Sequence, residues 1–148
     1  MVFNQTAIYA LRAMSTLAAH DGKGYQRSRS LSEWSGVPTS YLQKIMCRLG
    51  KAKLVKAQKG HNGGFRLSRP PHDITLFEVL EAIDHDLVAF PCVFGKHECD
   101  TDNPCLMHDT WMELRECFWN WGQTHTLADA VERPSLLTPP VPMQQTHL

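Results

Sequence analysis

The sequence predicts a mainly α-helical fold, a winged helix-turn-helix with a small β-hairpin wing and a long C-terminal dimerisation helix, on three observations. Two amphipathic segments flank Gly36 in LSEWSGVPTSYLQKIMCRLGKAKLV, a Gly/Asn-rich hairpin pattern follows in VKAQKGHNGGFRLSR, and an aromatic seam runs through DTWMELRECFWNWGQ. Helical spacing of apolar residues, turn residues between short alternating runs, and a heptad-like stripe are local signals of these elements.

Residues Gln5 to His20 repeat at helical period and place Ile8, Leu11, Met14, Leu17 and Ala18 on one face, the pattern of a core-facing helix. Asp21 to Ser30 is Gly-containing, polar and basic, and reads as a loop. Ser30 or Ser32 starts the next helix, Gly36 ends it, and Pro38 to Ser40 opens the one after. In that last helix Leu42, Ile45, Met46 and Leu49 form the apolar stripe, opposite Ser40, Gln43, Lys44, Cys47, Arg48 and Lys51. Side chains near the front of a recognition helix reach base edges, so Ser40, Gln43 and Lys44 are the candidates for readout, and glutamine can pair bidentately with adenine. Tyr41 either reaches a phosphate or packs. Arg29, Arg48 and Lys51 complete the candidate DNA contacts of this part. Cys47 has no His or Cys neighbour in sequence and reads as a small surface or semi-buried residue, not a ligand.

Beyond Leu54, Asn62, Gly63 and Gly64 are expected to supply positive φ at a hairpin turn. A basic hairpin directly after a recognition helix is a wing, whose Lys56, Lys59, His61 and Arg66 would follow the DNA backbone or minor groove. Pro70, Pro71 and His72 break the chain before ITLFEVLEAID, a short helix with Leu76, Val79, Leu80 and Ile83 inward and Thr75 with Glu78 as a capping box. Further on, Trp111, Leu114, Phe118 and Trp121 recur at 3-4-3 spacing. This seam is assigned to the interface of a homodimer, with the chain's own first helix as the alternative surface. Cys117, beside the seam, reads as structural. Gly122 is expected to end that helix, and Thr126 with Asp129 to cap a final short one. The chain thus divides into a DNA-binding part, residues 1–70, and a linker helix, cysteine loop and dimerisation helix, residues 71–133. Residues 134–148, with four prolines, read as a disordered tail.

The formal net charge of zero hides an asymmetry. Met1 to Arg69 holds 12 Lys or Arg against 2 acids, whereas Pro70 to Leu148 holds 3 against 13. A basic first half suits a polyanion, and double-stranded DNA with a roughly palindromic operator is the expected partner, although basic residues also simply solvate helix faces. No apolar run is long enough to cross a bilayer, and MVFNQTAIYALR lacks the basic start and apolar middle of a signal peptide, so a cytoplasmic location is expected.

The chemistry concentrates in FPCVFGKHECDTDNPCLMHDTW, where Cys92, Cys99 and Cys105, three of the five cysteines, precede His108. Asp102 or Asn103 can cap a helix there and Pro104 suits its first position, which would set Cys105 and His108 at i and i+3 on one face of the first turn. Backbone N–H groups and the helix dipole at that end favour thiolates. Gly95 permits a bend that would bring Cys92 and Cys99 alongside. Four readings compete on this spacing: an iron-sulfur cluster, zinc, redox thiols without a metal, or a vestigial loop. Cys92-x6-Cys99-x5-Cys105-x2-His108 lacks the close cysteine pair common in structural zinc sites. An enzyme is disfavoured, since Cys105 and His108 have neither an oxyanion-hole motif nor a phosphate-binding glycine loop beside them. A regulator whose acidic second half docks a protein partner is a further reading.

The stretches YALRAM, LSEWSGVPTSYLQKIMCRLGKAKLV, KGHNGGFRL, the cysteine loop with CLMHDTW, and TLADAV together resemble the IscR-type family of bacterial iron-sulfur transcription regulators, over about Ala7 to Val131. The resemblance implies a winged-helix homodimer joined through its long C-terminal helix. It also implies a cluster held by three cysteines and a fourth ligand. By position, Cys92, Cys99 and Cys105 match the cysteine ligands, and His108 matches the histidine that completes a [2Fe-2S] site. In related nitric-oxide sensors an acidic residue of the partner's first helix serves instead; Ile8 stands there and cannot bind iron. The loop between Cys92 and Cys99 is one residue longer than in the pattern it resembles, and the wing carries His61-Asn62 where many relatives have proline. Other relatives sense through thiols or protein partners without a cluster.

Overall fold

The computed structural model describes residues 3–84 and 99–131. Cys92 and the expected tail, residues 134–148, lie outside them.

Helix α1 (Gln5–Ala19) begins where Asn4 Oδ1 accepts the Ala7 N–H at 2.8 Å, an N-cap that satisfies one of the unpaired donors of the first turn. Its buried face is Ala7, Ala10, Ala13, Met14, Leu17 and Ala18, rotated from the expected one: Ile8 and Leu11 are only half-buried. Alanines let neighbouring backbones approach closely, and on α1 pack the helices Ser28–Ser35, Thr39–Lys51, Leu76–Ala82 and Leu127–Val131 as well as the wing.

Helix α2 (Ser28–Ser35) starts earlier than Ser30 or Ser32, because Gln26 is held in a β-bridge with Phe65 by two 2.8 Å backbone hydrogen bonds and leaves Arg27 as the N-cap. Gly36, at φ 67°, ends it in the left-handed conformation that glycine adopts without a Cβ penalty. The turn is fastened by Ser32 Oγ–H donating to the Val37 carbonyl at 2.6 Å. Helix α3 (Thr39–Lys51) follows and buries Leu42, Ile45, Met46 and Leu49 as its spacing predicts.

Strands β1 (Val55–Gln58) and β2 (Gly64–Leu67) pair antiparallel with Val55 opposite Leu67 and Gln58 opposite Gly64. Positive φ falls at Gly60 and Gly64, not at Asn62 and Gly63 as the sequence suggests. Gly64 has a second reason to be glycine: a Cβ there would lie 2.1 Å from the Gln26 carbonyl oxygen, where the chain before α2 crosses the wing.

Helix α4 (Leu76–Ala82) carries the expected capping box: Glu78 N–H donates to Thr75 Oγ1 at 3.2 Å and Thr75 N–H to Glu78 Oε2 at 2.9 Å. Helix α5 (His108–Thr124) begins later than Pro104 suggested and runs through Gly122, which is buried within it. Asp100, and not Asp102 or Asn103, organises the approach, since its Oδ1 accepts from the N–H groups of Asp102 and Asn103 at 2.9 and 3.2 Å. The chain then returns to α4: Leu76 N–H donates to His125 O and Leu127 N–H to Ile74 O, both at 2.9 Å. Helix α6 (Leu127–Val131), capped by Asp129 through the Thr126 N–H at 2.7 Å, closes the core against α1.

Candidate nucleic-acid interface and ligand loop

With its stripe buried, α3 turns Ser40, Tyr41, Gln43, Lys44, Cys47, Arg48 and Lys51 outward. Lys59 and His61 are exposed at the tip of the wing. Some of these side chains already have occupations inside the chain. Tyr41 meets Tyr9 edge-on at 5.5 Å, and Arg66 lies 4.8 Å above the Tyr25 ring. Arg29 Nε pairs with Glu33 at 3.1 Å one helical turn on, and both are well exposed, so this pair contributes little. Arg48 donates to the Ile83 carbonyl at 3.0 Å and pairs with the Asp84 carboxylate. Among the described residues, Ser40, Gln43, Lys44 and Lys51 are the polar side chains that α3 presents outward without such an engagement.

A groove between the start of α2 and the wing is lined by Arg27, Ser28, Gln58, Lys59, His61 and Phe65. Arg27, not one of the candidate contacts read from the sequence, reaches this groove because α2 starts at Ser28 and not at Ser30 or Ser32, which leaves Arg27 just ahead of its first turn.

At the ligand loop, His108 opens α5 and its N–H donates to the Cys105 carbonyl at 3.0 Å, so one tight turn links these two residues ahead of the helix proper. Cys105 is exposed, His108 and Cys99 are half-buried, and Cys92 lies outside the described residues. Among the described residues no three His, Cys, Asp or Glu side chains group closely enough to hold a metal ion. The donor chemistry of two thiols and an imidazole suits a soft metal centre, but these three alone do not assemble one.

Of the aromatic seam, Leu114 is 46% exposed whereas Trp111, Phe118 and Trp121 are half-buried. Phe118 meets Phe3 edge-on at 6.3 Å and Trp121 lies tilted against it at 5.7 Å, so part of the seam lies against the chain's own N-terminal segment. Leu106, Met107, Met112 and Trp119 are exposed apolar residues in and before α5 that the 3-4-3 spacing did not single out.

A family model for Rrf2, described as iron-dependent transcriptional regulators, matches residues 3–133. The chain belongs to the Rrf2 family. Among Rrf2 relatives, the HTH-type transcriptional regulator IscR of Sodalis glossinidius is 34% identical over 87% of this chain and 78% of its own length. IscR of Yersinia pseudotuberculosis is 33% identical over the same shares. Among solved structures, T. potens IscR aligns with a TM-score of 0.70 at 25% identity, covering 88% of this chain and 85% of that one. CymR, the global cysteine regulator of B. subtilis, aligns with a TM-score of 0.75 at 23% identity, covering 87% and 95%. This chain is accordingly an IscR-type Rrf2 transcriptional regulator with a winged-helix fold, and not an enzyme. Among the described residues no helix is long and apolar enough to cross a membrane.

Proposed function

We propose that this Rrf2 chain is a homodimeric DNA-binding regulator, acting as a repressor or dual regulator, whose affinity for a roughly palindromic operator responds to an iron-sulfur cluster. The observation that carries the DNA reading is α3, which buries four apolar residues and presents Ser40, Gln43, Lys44 and Lys51 outward. Ser40 and Gln43 read base edges, Lys44 and Lys51 neutralise phosphates, and the wing adds Lys59 and His61 along the adjacent backbone. Two copies joined through α5, where Met112, Leu114 and Trp119 are exposed, present two such helices to two half-sites.

The sensor reading is supported by the family's iron-dependent description and by the donors near α5. Cys92, Cys99, Cys105 and His108 would hold the cluster, [2Fe-2S] in the favoured form. The chemistry supplied there is one-electron redox, at a potential that an imidazole ligand raises above that of four thiolates. His108 also brings a proton-sensitive ligand, because only its neutral ring binds metal. The experiment is anaerobic purification with iron and sulfide analysis and a visible spectrum, followed by DNA binding of loaded and stripped protein. Iron-containing, coloured protein with altered operator affinity is expected. Colourless protein that takes up no iron on anaerobic reconstitution overturns the sensor reading.

The exposure of Cys105 favours a second reading, in which thiol oxidation regulates DNA binding without a cluster. Peroxide-sensitive DNA binding by iron-free protein, lost in Cys105→Ser, distinguishes it.

A further inference from the structure

Recognition helix α3 carries in its last turn an arginine whose partners lie far along the chain. Arg48 Nη1–H donates to the Ile83 backbone carbonyl at 3.0 Å and Nη2 pairs with the Asp84 carboxylate. Ile83 is the C-cap of α4, and Asp84 follows it in the left-handed region at φ 54°. A positive φ is uncommon for a residue with a Cβ and best tolerated by Asp or Asn. Here it falls at the point where a carbonyl and a carboxylate both meet one guanidinium, the planar fork that arginine offers and lysine does not. The far end of α4 is fastened in the same way, Arg69 Nη2 donating to Glu78 Oε1 at 2.7 Å. Each end of this short helix is therefore tied to the DNA-binding part by an arginine.

We propose that Arg48 is a positioning residue rather than a DNA contact: it locks the last turn of α3 to the end of α4. Asp84 also precedes Cys92 by eight positions in the sequence. The lock thus holds the recognition helix to the segment that leads, along the chain, into the candidate ligand loop. The lock stands on the contacts above; its use in sensing rests on the cluster reading of the preceding section.

The two roles for Arg48 predict opposite signs when its partner is changed. Asp84→Asn removes a negative charge from a DNA-binding chain, which by charge alone tightens binding to a polyanion. The lock instead predicts binding weakened about twofold, since the reading helix loses part of an anchor whose ion pair is itself largely exposed. The measurement is fluorescence anisotropy of the full-length, metal-free chain on a mixed-sequence duplex, over a salt series. Unchanged or tighter binding by Asp84→Asn overturns the proposal. Arg48→Lys keeps the charge and loses the fork, so the lock predicts a similar loss with an unchanged salt slope. Near wild-type affinity for Arg48→Lys, with Arg48→Ala flattening the slope by about 0.9, identifies a phosphate contact and also overturns it. Should Asp84→Asn melt below the assay temperature, Arg48→Lys carries the test.

For the coupling, wild-type and Asp84→Asn chains are compared before and after anaerobic reconstitution with iron and sulfide. The wild type is expected to change DNA affinity and the variant to change less. An equal change in both overturns the coupling. No change in the wild type overturns the coupling and the cluster reading together, while the metal-free result still decides the lock.

Discussion

Arg69 Nη2 donates to Glu78 Oε1 at 2.7 Å, joining the chain just past the wing to the first turn of α4. Burial raises the Glu78 carboxyl, but the Arg69 guanidinium and the bonds from Thr75 outweigh it and hold it below its ordinary value. A carboxyl with a depressed folded pKa stabilises the fold above its unfolded pKa, and that contribution is lost as pH falls through the folded value. Glu78→Gln is therefore expected to lower stability by about 0.5 kcal/mol at neutral pH, through the lost charge opposite Arg69, because glutamine can still close the capping box and so exposed an ion pair adds little. The gap in Tm between wild type and variant narrows as pH falls below the ordinary glutamate range. A gap that widens on acidification contradicts this assignment.

The wing depends on Gly64. At φ 151°, with the Gln26 carbonyl where a Cβ would sit, Gly64→Ala combines backbone strain with a clash. A loss of about 2 kcal/mol is expected in a denaturant melt. Gly22→Ala, at φ 75° with open space around it, should cost less, since it has the strain and not the clash. Equal costs would mean the wing yields freely at Gln26.

Phosphate contacts and base contacts separate by their salt dependence. Lys44→Ala and Lys59→Ala are expected to weaken binding to all duplexes alike and to flatten the slope of log affinity against log salt by about 0.9 each. Gln43→Ala should cost about 1–3 kcal/mol on the operator and little on unrelated DNA, provided it pairs with a base edge. Salt-series anisotropy on both duplexes checks the three together.

Dimerisation through α5 predicts that Met112→Glu with Leu114→Glu yields monomers in sedimentation equilibrium and weakens operator binding, with little change in protomer helicity. Both residues are partly exposed in the protomer, so the charges cost its fold little. Dimers of undiminished stability would move the interface elsewhere.

At the ligand loop, Cys105→Ser and His108→Ala are expected to lower bound iron after anaerobic reconstitution, whereas Cys47→Ser and Cys117→Ser leave it unchanged. Cys47 and Cys117 are exposed on α3 and α5, away from the loop in sequence. Iron content and the visible spectrum of the four variants measure this.

Features set by neighbouring residues were legible in the chain itself. The stripe Leu42, Ile45, Met46 and Leu49 follows from helical period, and the boxes at Thr75/Glu78 and Thr126/Asp129 join residues three apart. The family's motifs likewise carried the fold class. Local rules misplaced the starts of α2 and α5, where a bridge to Phe65 precedes the one and a turn from Cys105 to His108 precedes the other. They also set only part of the buried face of α1, placing Met14, Leu17 and Ala18 correctly but not Ala7, Ala10 and Ala13, since small alanines are buried where other helices approach closely.

Periodicity along one chain says which residues seek a neighbour, but not which neighbour they find. Arg48 looked like one more cation on a basic helix until folding brought Ile83 and Asp84 to it, and Phe118 and Trp121 looked alike with Leu114 until Phe3 covered them. Amino-acid order alone determined the helix-turn-helix, the wing and the ligand types, because short-range sterics and hydrogen bonds write those locally. The tertiary structure alone decided which charged and aromatic groups stay available to a partner, because contacts between distant residues depend on packing that no sequence window contains.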